Sequence, residues 1–512
     1  MVRRELRWPG VVSTVLGCLW LGLFPLCQDM TYGHITRTKW ICMLVLCGAT
    51  VLTCLVTMAV LLWQRRLRQC LHWYPAQLLA LGYFAWVALS AWQGKWNDAI
   101  NGREQLVVLM GALRYEGLLT HLCYGIIFLM LSLFPPRMDV VMQVAAEALG
   151  LFCCLVAVQY AGVNPLGLFP EGFSIYTNYE FQGTIGNIDM VSGYVSLVLP
   201  LLLGSFAIRD KGGWYLLGAG SLGALLAWCM EVQSGLIALA LLCGVMVLLA
   251  LHDPGKRFRI CLMLAGVALA FGLRGLLFLP WLDSATPRQV QPVGLVLTGK
   301  ALLGIGAAGV LVLAGFLLHR SPGKGIAWRP ILCVVLAGCV LCVAAVVCLP
   351  IPESAGALWE MHECLNGRVQ DAFGSWRMGA WRHSLSMAAE SPIFGNGPDT
   401  FYYALHQRLE TLGETLGENF DNPHNEYVAI LVNNGAPALV LYLALLAAVI
   451  AACLRRGQWG VGMSLMCFAA QGFFSFSICL VTPMFWAMLG MGAALCGAPI
   501  KKQEVIDHGN EL

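Results

Sequence analysis

Nothing constrains this chain more than its recurring stretches of about 20 apolar residues, the length a helix needs to cross the hydrocarbon core of a bilayer. Such runs lie near residues 9–27, 40–63, 75–94, 118–135, 140–160, 190–208 and 214–230, and again near 235–251, 260–280, 298–318, 330–350, 435–453, 460–479 and 482–498. With 59% hydrophobic and 12% charged residues over 512 positions, the chain is far more apolar than a soluble globular protein, which is roughly 45–50% apolar and about 25% charged. The pattern predicts an all-α polytopic membrane protein with about fourteen transmembrane helices, within a range of about 12 to 14. The closest-spaced pair, around Glu231 to Ser234, and the run after Arg288 are the least sharply bounded.

The 21 cysteines do not imply a disulfide framework. Most, such as Cys42, Cys47, Cys54, Cys153, Cys154, Cys333, Cys339 and Cys342, sit inside apolar runs, where cysteine behaves as a small packing residue. Only Cys364 lies well inside a long polar loop. The first run follows Arg3, Arg4 and Arg7 as a signal peptide would, but no small-residue cleavage site follows it, so a retained first span is expected. No repeat of 20 to 50 residues is evident.

Basic residues orient the spans. Short cytoplasmic loops are enriched in Lys and Arg, and a cytoplasmic N-terminus puts Arg65, Arg66 and Arg68, Arg137, Arg209 and Lys211, Lys256, Arg257 and Arg259, Arg320, Lys324 and Arg329, and Arg455 and Arg456 on that side. With the N-terminal arginines and Lys501 and Lys502 of the tail, this is most of the 31 basic residues. Both termini are therefore expected in the cytoplasm. The long segments 95–117, 161–189, 281–297 and 351–434 fall on the opposite face. The organisation expected is a membrane helical domain over 1–350, an extracytoplasmic cap over 351–434, and terminal helices with a tail over 435–512. A net charge of +3 gives no reason to expect nucleic acid as a partner.

The outward segments carry the chemistry. Arg377, Trp381, Ser384 and Ala388 fall on one stripe of a helix that must stop before Pro392. Gly395-Asn396-Gly397-Pro398 predicts a tight turn, followed by a helix holding Tyr402, Tyr403 and His406. The segment Asp421-Asn422-Pro423-His424-Asn425-Glu426-Tyr427 opens a helix that re-enters the apolar phase past Gly435. Gly183-Thr184-Ile185-Gly186-Asn187 with Asp189 precedes the sixth span, and Arg114-Tyr115-Glu116-Gly117 precedes the fourth. A histidine titrates near neutral pH and can accept a proton from a hydroxyl. Guanidinium groups make bidentate bonds to phosphate without titrating.

In order, spacing and placement on one face, these stretches resemble the O-antigen ligase and polymerase family of bacterial membrane glycosyltransferases. The residues concerned are the Arg377 to Trp381 helix, P-I-F-G-N-G-P-D-T-F, P-H-N-E-Y running into N-N-G-A-P-A-L, G-T-I-G-N and R-Y-E-G, together about a tenth of the chain. The resemblance implies a GT-C-like helical membrane fold in the bacterial cytoplasmic (inner) membrane. It also implies transfer of a glycan from an undecaprenyl-diphosphate carrier to an acceptor hydroxyl at the outer face. The acceptor would be a glycan, lipid, cell-wall polymer or protein, and no metal or other cofactor is required. On the family pattern His424 activates the acceptor and arginines hold the diphosphate, with Arg377, Arg114, Arg274 and Arg382 as candidates and Asn425, Tyr427, Glu116 and Asn187 in support. One departure stands out: many members carry a Ser-Arg pair where this chain reads Val232-Gln233-Ser234-Gly235, so Arg274 or Arg288 would have to supply that charge, or the donor is held differently.

Each residue also has a purely structural alternative. His424 would open a re-entering helix, Arg377 would pair with Asp371, Arg114 would anchor at the interface beside Glu116, and Arg274 would snorkel. Asn187 and Asp189 suit a helix start, Asn425 and Tyr427 suit positioning His424, and His383 and His406 suit the cap surface. The competing function is a flippase or exporter of lipid-linked saccharides, but such transporters show two similar halves and charged residues around a central cavity, whereas this sequence shows no such halves and few charges within its spans. A cytoplasmic nucleotide-sugar transferase is disfavoured by the absence of a D-x-D motif, of a glycine-rich phosphate loop and of long cytoplasmic connections.

Overall fold

The computed structural model describes residues 8–29, 31–67, 75–93, 109–111, 114–283, 293–321 and 323–497. Arg3, Arg4, Arg7, Arg68, Arg288, Lys501, Lys502 and most of the segment 95–117, on which some of the expectations above fall, lie outside the described residues.

Each of the fourteen apolar runs is a helix. In chain order they begin with α1 (Trp8–Cys18), α2 (Ile35–Trp63), α3 (Pro75–Gln93), α4 (Leu118–Ser132), α5 (Met138–Tyr160), α6 (Ile188–Ile208), α7 (Trp214–Met230), α8 (Gln233–His252) and α9 (Arg257–Leu276). After the single turn α10 (Pro280–Asp283) come α11 (Gly299–Arg320) and α12 (Trp328–Cys348), then the short helices α13 (Ala357–Leu365), α14 (Arg377–Glu390) and α15 (Phe401–Leu412). The chain closes with α16 (Glu426–Arg455), α17 (Trp459–Gln471) and α18 (Thr482–Gly497). Among the described residues ten helices are long and apolar enough to cross a membrane; α4, α7, α17 and α18 are apolar but shorter. Among the described residues there are also two antiparallel ribbons of two-residue strands, β1 (Phe181–Gln182) with β2 (Gly186–Asn187) and β3 (Leu277–Phe278) with β4 (Gly294–Leu295).

The helix α6 is the centre of the bundle, 94% buried over its apolar window. Its neighbours α7, α8, α9 and α17 pack around it, which is why its sequence is apolar on every side. By contrast α12 is only 6% buried and meets the rest mainly through α13, where His362 Nδ1 lies 2.6 Å from the Val346 carbonyl. The first span is interrupted: α1 passes into a π turn at Leu19–Leu23 and a 3-10 turn at Phe24–Leu26. The fully buried Lys39 of α2 donates to the freed carbonyls of Phe24 at 2.7 Å and Pro25 at 2.9 Å, so this buried lysine serves as a helix C-cap.

The helices α14 and α15 share an apolar core of Ala380, Met387, Ala388, Phe401, Ala404, Leu405 and Phe420, closed by Val432 from α16. Their link to the bundle is made at a break in α16. Pro437 has no N–H for the carbonyl of Asn433 one turn back, and Gly435 departs from helical geometry at φ +81°. The turn after α14 fills that break. Asn396 and Gly397 donate their N–H groups to the carbonyls of Val432 and Asn433 at 2.9 and 2.8 Å, while Ala436 donates to Pro392 at 2.8 Å. Backbone left irregular in an apolar bundle must be satisfied by its neighbours, and this turn does so. A Cβ on Gly435 would lie 2.0 Å from the Ile393 carbonyl oxygen, so the position admits no side chain. From α3, Trp86 donates to Ile393 at 3.1 Å and Ser90 to Phe394 and Asn433.

Candidate functional site

His424 sits on the loop just before α16, with φ +53°, a left-handed conformation that costs a non-glycine residue about 1–2 kcal/mol. The surrounding groups hold it there. Its own N–H donates to Asn422 Oδ1 at 3.0 Å, and its Nδ1 lies 3.0 Å from the Asn422 carbonyl oxygen. Trp381 of α14 donates its indole N–H to the Pro423 carbonyl at 2.8 Å. The imidazole edge meets Phe420 and Phe476 at centroid distances of 5.6 and 5.1 Å. On the following residues Asn425 caps α16, accepting from the N–H groups of Tyr427 and Val428 at 3.0 and 3.1 Å. Glu426 accepts from the N–H and hydroxyl of Ser477, each at 2.6 Å, and Tyr427 donates to the Ala469 carbonyl at 2.6 Å.

A carbonyl oxygen only accepts, so the contact at Nδ1 requires the proton on that nitrogen and leaves Nε2 with a free lone pair. Burial is the largest influence on this histidine and lowers its pKa from 6.5. The hydrogen bond to Asn422 and the Asp421 carboxylate oppose the shift, and the charges of Arg377 and Arg114 reinforce it. The group is therefore a neutral base at neutral pH.

Of the residues singled out from sequence, Arg114 is brought to the same place. Its Nε donates to Asp421 Oδ2 at 2.7 Å and its Nη2 reaches the same oxygen, while its guanidinium carbon stands 4.3 Å from the centre of the Phe476 ring. Glu116 follows it inward: buried, it accepts from Tyr124 at 2.9 Å, and burial pushes its carboxyl pKa well above the usual range, with Asp399 and Glu426 adding to the effect. These three carboxyl groups, with Arg114 and Asn422, line a small cavity of about 40 Å³ beneath the histidine loop.

Arg377 opens α14 and lines a larger cavity of about 410 Å³. Asp189, Glu231, Gln233, Ser234, Glu360 and Phe474 form other parts of its wall. The alternative pairing of Arg377 with Asp371 does not occur. Asp371 is held instead by Arg382, through Nε at 3.0 Å and Nη2 at 2.7 Å, and Arg382 also pairs with Glu414 at 3.0 Å. Arg382 thus ties the cap to itself, whereas Arg377 makes no side-chain hydrogen bond or ion pair among the described residues. The expected surface position of His383 is corrected: it is 1% exposed, under Arg382 and Glu414. His406 is half-buried, its ring centre 4.0 Å from that of Tyr402 with the planes tilted by 39°.

Arg274 does not snorkel. Its guanidinium folds onto the C-terminal end of α9, donating to Leu277 at 2.8 Å and to Asp283 at 3.0 Å, and reaching Glu231 at 3.3 Å. It stands behind the cavity wall that Glu231 forms. Asn187 caps α6 by accepting from Asp189 N–H at 2.9 Å, with the G-T-I-G-N segment as the hairpin between β1 and β2.

The segment from Asp421 to Tyr427 stands out in the sequence, but neither Asp421 nor Asn422 is a candidate there in its own right, and Phe476 and Ser477 do not stand out at all. An Asn before Pro is a turn signal, and that signal marks Asn422; the two residues after α17 carry no local signal at all.

The family model described as O-antigen ligase matches residues 291–443. The match takes in α11, α12, the cap with Arg377 and Arg382, and the start of α16 with His424, while Arg114, Glu116, Asn187 and Arg274 precede it. No curated protein matches the chain. Over residues 291–443 this multi-pass membrane protein is similar to the O-antigen ligase family.

Proposed function

We propose that this protein transfers a glycan from a polyprenyl-diphosphate carrier, of the undecaprenyl type, to an acceptor hydroxyl at the outer face of the bacterial cytoplasmic membrane. The bundle would have fourteen spans in a GT-C-like arrangement with both termini in the cytoplasm. His424 Nε2 takes the proton of the acceptor hydroxyl as its oxygen attacks the anomeric carbon. The bond from that carbon to the diphosphate breaks, and its electron pair leaves with the diphosphate, whose charge Arg377 meets in the 410 Å³ cavity. The observation that carries this reading is the tautomer of His424, whose Nδ1 is committed to the Asn422 carbonyl so that Nε2 is a base. An unpaired arginine close enough to influence it supports the same reading. A base so placed contributes about 10² to 10⁴-fold in rate. Arg382 and Arg274 already have carboxylate partners, which leaves Arg377 as the preferred diphosphate ligand.

The test is reconstitution of the purified protein with a polyprenyl-diphosphate-linked glycan and a hydroxyl acceptor. Glycosylated acceptor and free polyprenyl diphosphate should appear in equal amounts. Movement of the lipid-linked glycan across proteoliposomes without any transfer would contradict the proposal and favour an exporter.

A further inference from the structure

We propose that Arg114 works through His424 rather than on the donor, as a positioning residue that clamps Asp421 and Phe476 on either side of the histidine loop. The inference rests on the reading of His424 as the base. Arg114 lies far from the loop in sequence, yet it presents two donors to one oxygen of Asp421, three residues before His424. The flat face of the same guanidinium covers Phe476 at 4.3 Å, and that ring meets the imidazole at 5.1 Å and 77°. One side chain therefore fixes both the chain entering His424 and the ring packed against it. Its side chain and that of Asp421 are 25% and 28% exposed, sheltered enough that a paired, stacked guanidinium holds its geometry.

The arrangement also sets the charge around the imidazole. Arg377 and Arg114 are the positive groups that act on it and Asp421 the negative one. Glu116, Asp399 and Glu426 line the same small cavity as Arg114. Removing the Arg114 charge leaves Asp421 unopposed, which makes the histidine easier to protonate. Removing the Asp421 charge does the reverse.

The experiment compares Arg114→Gln, Arg114→Lys, Asp421→Asn, Phe476→Leu and the double variant Arg114→Gln/Asp421→Asn in the reconstituted transfer assay, reading kcat, donor KM and the acid limb of the pH profile. Arg114→Gln is expected to lower kcat about tenfold with donor KM unchanged, and to move the acid limb to higher pH. Asp421→Asn should lower kcat and move the limb to lower pH, and the double variant should fall no further than the worse single, because paired residues act as a unit. Arg114→Lys should recover part of kcat, and Phe476→Leu should lower kcat while leaving the Arg114 and Asp421 charges in place. A donor KM raised by about tenfold or more in Arg114→Gln, with Asp421→Asn silent, would make Arg114 a donor ligand and overturn the inference. So would full activity in both Arg114→Gln and Phe476→Leu. A His424→Ala control in the same assay separates the two readings: wild-type transfer by that variant contradicts the base assignment itself.

Discussion

The Nδ1 atom of His424 lies 3.0 Å from the carbonyl oxygen of Asn422, and Asn422 Oδ1 accepts the backbone N–H of His424 at the same distance. One residue thus fixes both the left-handed backbone and the ring tautomer of the histidine that follows it by two. Because one of these contacts is made by a backbone carbonyl, the tautomer does not depend on any other side chain.

The pH dependence of transfer follows from that environment. His424 acts as a base only when neutral, and burial with the Arg377 and Arg114 charges lowers its pKa from 6.5. A lowered pKa keeps the neutral form populated at more acidic pH. Activity should therefore persist through pH 6.5 and fall only below it, which a pH profile of kcat measured at saturating donor will show.

Arg377 has no side-chain hydrogen bond or ion pair to lose among the described residues, so its substitution should cost substrate interaction rather than fold. A charge-assisted hydrogen bond contributes about 1.5–3 kcal/mol. Arg377→Ala should lower kcat/KM by roughly ten- to a hundredfold with an unchanged melting temperature, and Arg377→Lys should restore part of it as a point charge without the planar fork.

Arg382 predicts the opposite balance. It joins Asp371 and Glu414 within the cap and is 52% exposed, and exposed pairs contribute about 0.2–1 kcal/mol each. Arg382→Ala should lower thermal stability slightly while donor KM stays at the wild-type value, as paired thermal melts and kinetics will measure.

Gly435→Ala should be severe. The position has φ +81°, and a Cβ there would stand 2.0 Å from the Ile393 carbonyl. Strain of about 1–3 kcal/mol adds to the loss of the contacts from Asn396 and Gly397 to the broken helix. Limited proteolysis of the cap and the melting temperature should both register the loss.

All fourteen apolar runs became helices because length and apolarity alone decide that in a chain satisfying its own backbone. The helix from Arg377, its stop at Glu390 before Pro392, and the helix holding Tyr402 and His406 were equally legible, since caps and prolines act locally. What stayed hidden was long-range. The docking of Asn396 and Gly397 into the break at Gly435 joins two motifs that read separately in the sequence. Likewise, the partners of Arg114, Arg274 and Arg382 come from distant or merely nearby acids that no spacing rule selects. Val232-Gln233-Ser234-Gly235 lacks the arginine of the family pattern, and the structure places Gln233 and Ser234 on the same cavity wall as Arg377.

The central claim is that His424 is the base, and the most direct test is transfer by His424→Ala at saturating donor and acceptor. A loss of about 10² to 10⁴-fold in kcat is expected with donor binding retained, since the proposal assigns the donor diphosphate to Arg377 and not to His424. Wild-type turnover by that variant would contradict it.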